Sequence, residues 1–138
     1  MLFTHDPFAA VVNQLAEAAY TPKVDVTAGE NDMLLTFDVP GLTTEDITIE
    51  LVDGYLVIRG ERRRPALPEG SGLVHGERPY GTFARRIRMP DGVDVDGIAA
   101  SMDNGVLSLI VPKSERAKRR TITIAAGGEN QALETTAT

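Results

Sequence analysis

The chain has 138 residues, a formal net charge of −6 and no cysteine. Its length suits one domain with short extensions, and the lack of cysteine excludes disulfides and thiolate chemistry. The negative charge argues against a nucleic-acid partner, and the lack of a long apolar stretch or a signal-type N-terminus argues against a membrane span or secretion, so we expect a cytoplasmic protein.

Residues 1–22 are predicted to form an N-terminal arm with a short amphipathic helix. Asp6-Pro7 is a favourable helix start, because Asp caps well and Pro suits the first helical position. Apolar residues recur at helical spacing as far as Ala19, and Thr21-Pro22 ends the pattern. A short isolated helix is only marginally stable in water, so the arm should be mobile. Its apolar stripe consists of Phe3, Phe8, Val11, Val12 and Leu15.

From Val24 onward the pattern changes to alternation, which predicts β-strands. The turns Pro40-Gly41, Asp53-Gly54 and Asn104-Gly105 separate several of the alternating runs. Seven or eight short strands with no helix among them indicate an all-β fold, an immunoglobulin-like antiparallel β-sandwich over residues 23–113. The apolar residues that mark the strands are Leu35, Phe37 and Val39; Ile47, Ile49 and Leu51; Leu56 and Ile58; Phe83, Ile87 and Met89; Ile98, Ala100 and Met102; and the run from Val106 to Val111.

The connection from Glu61 to Gly72 carries charge, two prolines and two glycines, so we predict a long loop. Leu73-Val74-His75 is compatible with a short strand inside this connection. The basic runs Arg62-Arg63-Arg64 and Arg116 to Arg120 are interpreted as solvated charge of a loop and of a tail.

Arg85 shares one face of its strand with large apolar residues, by the two-residue period of a strand. We expect its guanidinium to be largely desolvated and held by a carboxylate or by backbone carbonyls. The alternative is an arginine whose aliphatic stem carries the charge out to solvent.

The last strand is apolar on both faces. If Leu107, Leu109 and Val111 point into the core, then Val106 and Ile110 point out of it. Either a partner covers these two side chains or they pack under loops of their own subunit, since scattered surface apolar residues are normal.

No catalytic constellation stands out in the sequence. His5 and His75 do not lie at a metal-ligand spacing. The glycines near residue 70 lack the strand and helix that frame a phosphate-binding loop, and the acids between Gly92 and Asp103 lack the first ligand of a calcium loop. No serine lies in a nucleophile elbow. We therefore predict that the protein is not an enzyme and uses no cofactor or metal.

Four stretches of the sequence together form a recognisable pattern. They are Asp38-Val39-Pro40-Gly41 with Glu45-Asp46-Ile47; Gly81 to Arg85 with Met89-Pro90; Ala100 to Lys113; and Ile122-Thr123-Ile124. From about Lys23 to Lys113 the chain resembles the bacterial small heat shock proteins, and Ile122-Thr123-Ile124 resembles that family's Ile-x-Ile anchor. The resemblance implies an α-crystallin domain and an ATP-independent chaperone that holds partly unfolded clients and assembles as a multimer of dimers.

The resemblance also implies how subunits assemble. Ile122 and Ile124 of one subunit would insert into an apolar groove at the sandwich edge of another. The alternative is that these two isoleucines finish a local strand in their own subunit. The candidate groove walls are Ile47, Ile49, Val106 and Ile110.

A second implied contact is a strand-exchanged dimer, in which a strand within the long loop crosses to the partner's sheet. Arg85 would lie at this dimer interface. The residues assigned to the crossing segment are Leu73, Val74, His75, Glu77 and Arg78.

Client binding is assigned to the apolar stripe of the arm, although the stripe could instead pack inside the oligomer and meet no client. The arm is short, with Phe3 and Phe8 as its only phenylalanines, whereas family members often carry longer and more aromatic arms. Residues 114–138 form a C-terminal extension, which from Ala125 has the composition of disorder. The second functional hypothesis is a β-sandwich co-chaperone or adaptor that binds one defined partner, and the Ile-x-Ile segment favours self-assembly over it.

Overall fold

A computed structural model describes residues 18–117, 120–127 and 135–137. Seven strands form two antiparallel sheets, one with the order β1-β2-β7-β6 and one with the order β3-β4-β5. The prediction of an all-β antiparallel sandwich is confirmed. The strands are β1 (Val24–Ala28), β2 (Asp32–Asp38), β3 (Ile47–Val52), β4 (Tyr55–Arg62), β5 (Gly81–Arg88), β6 (Ala99–Asp103) and β7 (Val106–Pro112). Short 3₁₀ turns lie at Thr44–Asp46, Val95–Gly97 and Glu115–Ala117.

The hydrophobic core lies between the two sheets. Alternating residues of each strand point inward, and fully burying one such side chain contributes roughly 1.5–3 kcal/mol. The four-stranded sheet contributes Leu35, Phe37, Leu107, Leu109 and Val111, and the three-stranded sheet contributes Leu56, Ile58 and Phe83; all are at most 3% exposed.

Two hairpins close at the predicted two-residue turns. Asp53 and Gly54 have φ values of 48° and 79°, and Asn104 and Gly105 have 50° and 79°. Positive φ at both central residues is the type I′ turn, whose twist matches that of the flanking strands. These turns fix the registers of β3 with β4 and of β6 with β7.

The long loop differs from its prediction at both ends. β4 continues to Arg62, so the loop covers residues 63–80 instead of beginning at Glu61. Leu73-Val74-His75 forms no strand in this single chain, and Val74 is 99% exposed. A strand needs a neighbour for its backbone hydrogen bonds, and this segment has no backbone partner within the described residues.

The segment before β1 covers an edge of the sandwich. The helix predicted for the arm falls on residues 1–17, which lie outside the described residues, and Ala18 and Ala19 are not helical. Ala19 N donates to Thr82 O at 2.8 Å, and Ala84 N donates to Tyr20 O at 3.4 Å. The tyrosine ring lies on Phe83, with 5.6 Å between ring centroids. This segment therefore runs along the outer edge of β5.

The C-terminal extension contains a separate two-stranded sheet. β8 (Arg120–Ile122) pairs antiparallel with β9 (Thr135–Ala137). The composition had predicted disorder from Ala125 onward, and β9 departs from that prediction. Its Thr135-Thr136 pair explains the difference, because β-branched residues favour extended backbone.

Candidate functional site: an edge groove and its anchor

An open apolar groove lies between the two sheets at one edge of the sandwich. β3 is an edge strand of the three-stranded sheet, and β6 is an edge strand of the four-stranded sheet. The cavity between them has a volume of about 140 Å³. The residues that line it are Thr44, Ile47, Ile49, Ala100, Ser101, Met102 and Leu107.

The shape of the groove follows from the alternation of its two walls. Ile47 and Ile49 are two residues apart on β3, so their side chains project in the same direction, and Ala100 and Met102 have the same spacing on β6. Neighbouring side chains on each wall are therefore about 6.6 Å apart along the strand. The small side chain of Ala100 leaves the space between the walls open.

The structure brings together only part of the predicted wall. Ile47 and Ile49 line the groove, but Val106 and Ile110 do not. The groove lies between the sheets, so inward-facing residues line it, whereas Val106 and Ile110 alternate with the buried Leu107 and face outward. Ile110 is 45% exposed and is paired in register with Leu34 on the outer face of the four-stranded sheet.

Sequence reasoning missed Met102 and Leu107 as groove residues. Leu107 is predicted to point into the core, and Met102 is predicted only to lie on the strand before the Asn104-Gly105 turn. At a sheet edge the core face and the groove wall are the same face. The signal that identifies Met102 is its position on an edge strand, which depends on the strand order β1-β2-β7-β6.

The predicted anchor residues, Ile122 and Ile124, do not occupy the groove of their own chain. Ile122 is 57% exposed and Ile124 is 89% exposed, and neither lines the cavity. Ile122 ends β8, where it is paired with Thr135, so the local-strand alternative holds for this residue within its own chain. Ile124 lies beyond the strand. The two isoleucines have the same two-residue spacing as the groove walls.

Arg85 is half-buried and is held by a backbone carbonyl. Its Nη1 donates to Pro22 O at 3.2 Å, as expected of a guanidinium on an apolar face. This bond ties the segment that leads into β1 to the side of β5. The described residues supply no carboxylate partner for Arg85.

Among the described arginines, Arg62 is the one that is buried, so its interpretation as solvated loop charge is wrong. Its side chain is on the inward face of β4, two residues after Gly60, and is only 7% exposed. Its Nη1 donates to Pro79 O at 3.2 Å. Burial raises the pKa of the neighbouring Tyr20, and the Arg62 guanidinium partly opposes that rise. The two-residue alternation of Leu56 and Ile58, continued along β4 through Gly60, places Arg62 on the inward face.

The described residues contain no helix long and apolar enough to cross a membrane. They also contain no group of three or more metal-ligating side chains close enough to hold an ion.

An antiparallel sandwich with an apolar groove between two open edges, followed by a tail with two exposed isoleucines, defines a subunit of the α-crystallin type. A sequence model described as the Hsp20/alpha crystallin family matches residues 25–125. The chain belongs to this family. It is therefore a small heat shock protein, and the family consists of chaperones and not of enzymes.

Known proteins agree with this assignment. The 16.6 kDa heat shock protein of Oryza sativa subsp. japonica is 42% identical over 82% of this chain and 79% of its own. The 18 kDa antigen 1 of Mycobacterium avium is 35% identical over 91% of this chain and 88% of its own. Among solved structures, a small heat-shock protein from Xylella fastidiosa is 37% identical and superposes with a TM-score of 0.66, covering 79% of this chain and all of the other.

Proposed function

We propose that the protein is a cytoplasmic, ATP-independent holdase that binds partly unfolded proteins and prevents their aggregation. The observation that carries this proposal is the open groove between β3 and β6 in a chain of the Hsp20/alpha crystallin family. The groove offers apolar walls and two unpaired strand edges, which are the features that an extended apolar segment needs for binding.

In the oligomer, the occupant of the groove is the Ile122-Thr123-Ile124 segment of another subunit. The spacing of the two isoleucines matches that of the groove walls, and both side chains are exposed in their own chain. Burying two isoleucines yields roughly 3–6 kcal/mol before the cost of ordering the tail is subtracted. Each contact is therefore weak, and an assembly with many such contacts is stable while its subunits exchange.

The building block of the assembly is a strand-exchanged dimer. β1 is the other edge strand of the four-stranded sheet, and four of its five residues are exposed. The segment from Leu73 to Arg78 is exposed in its own chain, so each of these two elements lacks a neighbour that the partner could provide. Arg85 contributes to the interface by holding the carbonyl of Pro22, just before β1.

We assign client holding mainly to the arm, residues 1–22, with residues 23–113 as the α-crystallin domain and 114–138 as the extension. The arm carries the apolar stripe of Phe3, Phe8, Val11, Val12 and Leu15, all of which lie outside the described residues. A subunit leaving the oligomer frees both its stripe and its groove for a client.

The anchor is tested by the double substitution Ile122→Ala, Ile124→Ala. Size-exclusion chromatography with light scattering should show that the large oligomer of the natural chain becomes a dimer, while circular dichroism shows an intact sandwich. The matched control is Leu34→Ala, Ile110→Ala, which removes two apolar side chains from the outer sheet face and should leave the mass unchanged. A double anchor variant with the natural mass would contradict groove anchoring. A monomeric natural chain would favour the adaptor hypothesis.

A further inference from the structure

The outer face of the three-stranded sheet carries a basic surface at the end away from the long loop. Arg86 and Arg88 project outward from β5, and Tyr55 projects outward from the start of β4, where it is paired in register with Arg88. The two guanidinium carbons lie 4.9 and 5.8 Å from the centroid of the tyrosine ring, within the range of a cation–π interaction. Both arginines are exposed, and neither forms an ion pair within the described residues. These three residues are called the Tyr55 surface.

The outer face of the other sheet carries the opposite charge. Asp38, Val106 and Asp103 form one row across β2, β7 and β6, because Val106 is paired in register with both aspartates. Neighbouring strands are about 4.8 Å apart, so the two aspartates flank Val106 with about 10 Å between their backbones. Both are exposed and have no ion pair in the part of the chain that the structure describes. These three residues are called the aspartate row.

The aspartates have only weak local partners. The backbone N of Asp38 donates to the carbonyl of Lys23, but the ammonium group of that lysine makes no ion pair with the aspartate. Asp103 accepts from the side-chain amide of the adjacent Asn104 at 3.4 Å, which is a long hydrogen bond. Both carboxylates therefore keep lone pairs for a cationic partner.

The contacts proposed above leave both surfaces open. A strand that adds to the edge of β1 extends the four-stranded sheet in its own plane, and an anchor in the groove lies between the two sheets. Arg86 and Arg88 alternate with Arg85, so they face away from the side chain that is assigned to the dimer interface.

We propose that the Tyr55 surface of one subunit docks on the aspartate row of a second copy in a neighbouring dimer. Each guanidinium group meets one carboxylate, for which its planar fork of donors is suited, and the tyrosine ring lies on Val106. The two surfaces lie on opposite faces of the sandwich, so the contact is heterologous and every subunit can take part in it twice.

This contact rests on the proposed anchored assembly. Exposed ion pairs are individually weak, so the contact is not expected to hold dimers together by itself. Once the anchors have brought the dimers together, each further contact becomes intramolecular and slows the release of a subunit. The contact therefore regulates how fast the oligomer exchanges its subunits, and added salt should speed the exchange.

The test is the rate of subunit exchange, measured by native mass spectrometry after unlabelled and ¹⁵N-labelled oligomers are mixed at low salt. Arg86→Glu with Arg88→Glu should speed exchange at least about tenfold, because like charges then face each other. Asp38→Arg with Asp103→Arg should have the same effect. All four substitutions together should restore the natural rate, since the ion pairs form again in the opposite sense. Circular dichroism checks that each variant keeps its sandwich.

The matched control combines Arg86→Glu and Arg88→Glu with Glu30→Arg and Glu69→Arg, two exposed acids outside the aspartate row. It has the same formal net charge of −6 as the natural chain and as the charge swap, but it should still exchange fast. A charge swap that exchanges as fast as this control would overturn the proposal, because the arginines would then bind something other than the aspartates. An oligomer whose exchange rate neither charge reversal alters would overturn this contact alone. A natural chain that forms no oligomer would overturn the anchored assembly as well.

Discussion

Gly60 lies on the inward face of β4, where a side chain would have no room. A Cβ atom at this position would overlap the carbonyl oxygen of Asp46 and would lie 2.6 Å from Cζ of Phe83. The missing side chain is what allows the Phe83 ring to lie against β4. Arg62, two residues further along β4, lies on the same inward face, and its guanidinium donates a hydrogen bond to the carbonyl of Pro79. The apolar core therefore ends along β4 at Gly60, which has no side chain, and at the buried guanidinium of Arg62.

Gly60→Ala should destabilise the sandwich, because the new methyl group would overlap a backbone carbonyl oxygen and the buried ring of Phe83. Overpacking of this kind typically costs about 1–3 kcal/mol of unfolding free energy. For a domain of about 100 residues, the melting temperature then falls by about 4–8 °C per kcal/mol.

The control is Gly72→Ala in the loop, where no atom lies within 4 Å of the added Cβ. This substitution should change stability by no more than about +1 kcal/mol, by restricting the unfolded chain. Thermal unfolding followed by circular dichroism measures both variants, and equal melting temperatures would show that the Phe83 ring can move aside.

The strands differ in how their outer edges are protected. The edge of β5 is covered by its own chain, through the hydrogen bonds of Ala19 and Tyr20 and through the bond from Arg85 to Pro22. Within the described residues, β1, β3 and β6 have no second β-partner. Open edges allow strands from other chains to add. The distribution of covered and open edges thus favours one contact at β1 and another at the groove between β3 and β6.

The contact at β1 can be tested by replacing residues 67–77 with a short Gly/Ser linker. This change removes the crossing segment up to Glu77 but keeps Arg78 and Pro79, because the carbonyl of Pro79 is the partner of Arg62. In the Ile122→Ala, Ile124→Ala background, the natural loop should give dimers and the shortened loop should give folded monomers. Sedimentation velocity at several concentrations measures the mass. Dimers that persist with the shortened loop at low concentration would show that the dimer uses another surface.

For the molecule as a whole, the sequence predicted the strands well and their neighbours poorly. Alternation and the Asn104-Gly105 turn are local signals, so the two-residue period and positive φ were readable from a few residues. The pairing of β2 with β7 joins residues 32–38 to residues 106–112, and no local pattern indicates it. The prediction that Val106 and Ile110 face outward is correct. That the groove is lined by inward-facing residues follows only from the strand order.

Client holding by the arm can be tested by deleting residues 1–17. The cut keeps Ala18 to Pro22, which cover the edge of β5, so the sandwich and the dimer should remain intact. The deletion should remove most of the suppression of heat-induced aggregation of a model client at equal subunit concentration, because the apolar stripe is lost. A full-length control with Phe8→Gln and Leu15→Gln should show a similar loss. If the shortened chain suppressed aggregation of the client as well as the full chain does, client binding would have to be assigned to the groove instead.

The central place of β7 in its sheet has a consequence for synthesis on the ribosome. The β3-β4-β5 sheet is complete once residue 88 has emerged, but β2 lacks its inner neighbour until Pro112. At the usual rate of about 5–20 residues per second, this interval lasts roughly 1–5 s. During that time β2, which carries the core residues Leu35 and Phe37, lacks its neighbouring strand β7. While it is being made, the chain exposes the same kind of apolar surface that its finished form is proposed to bind.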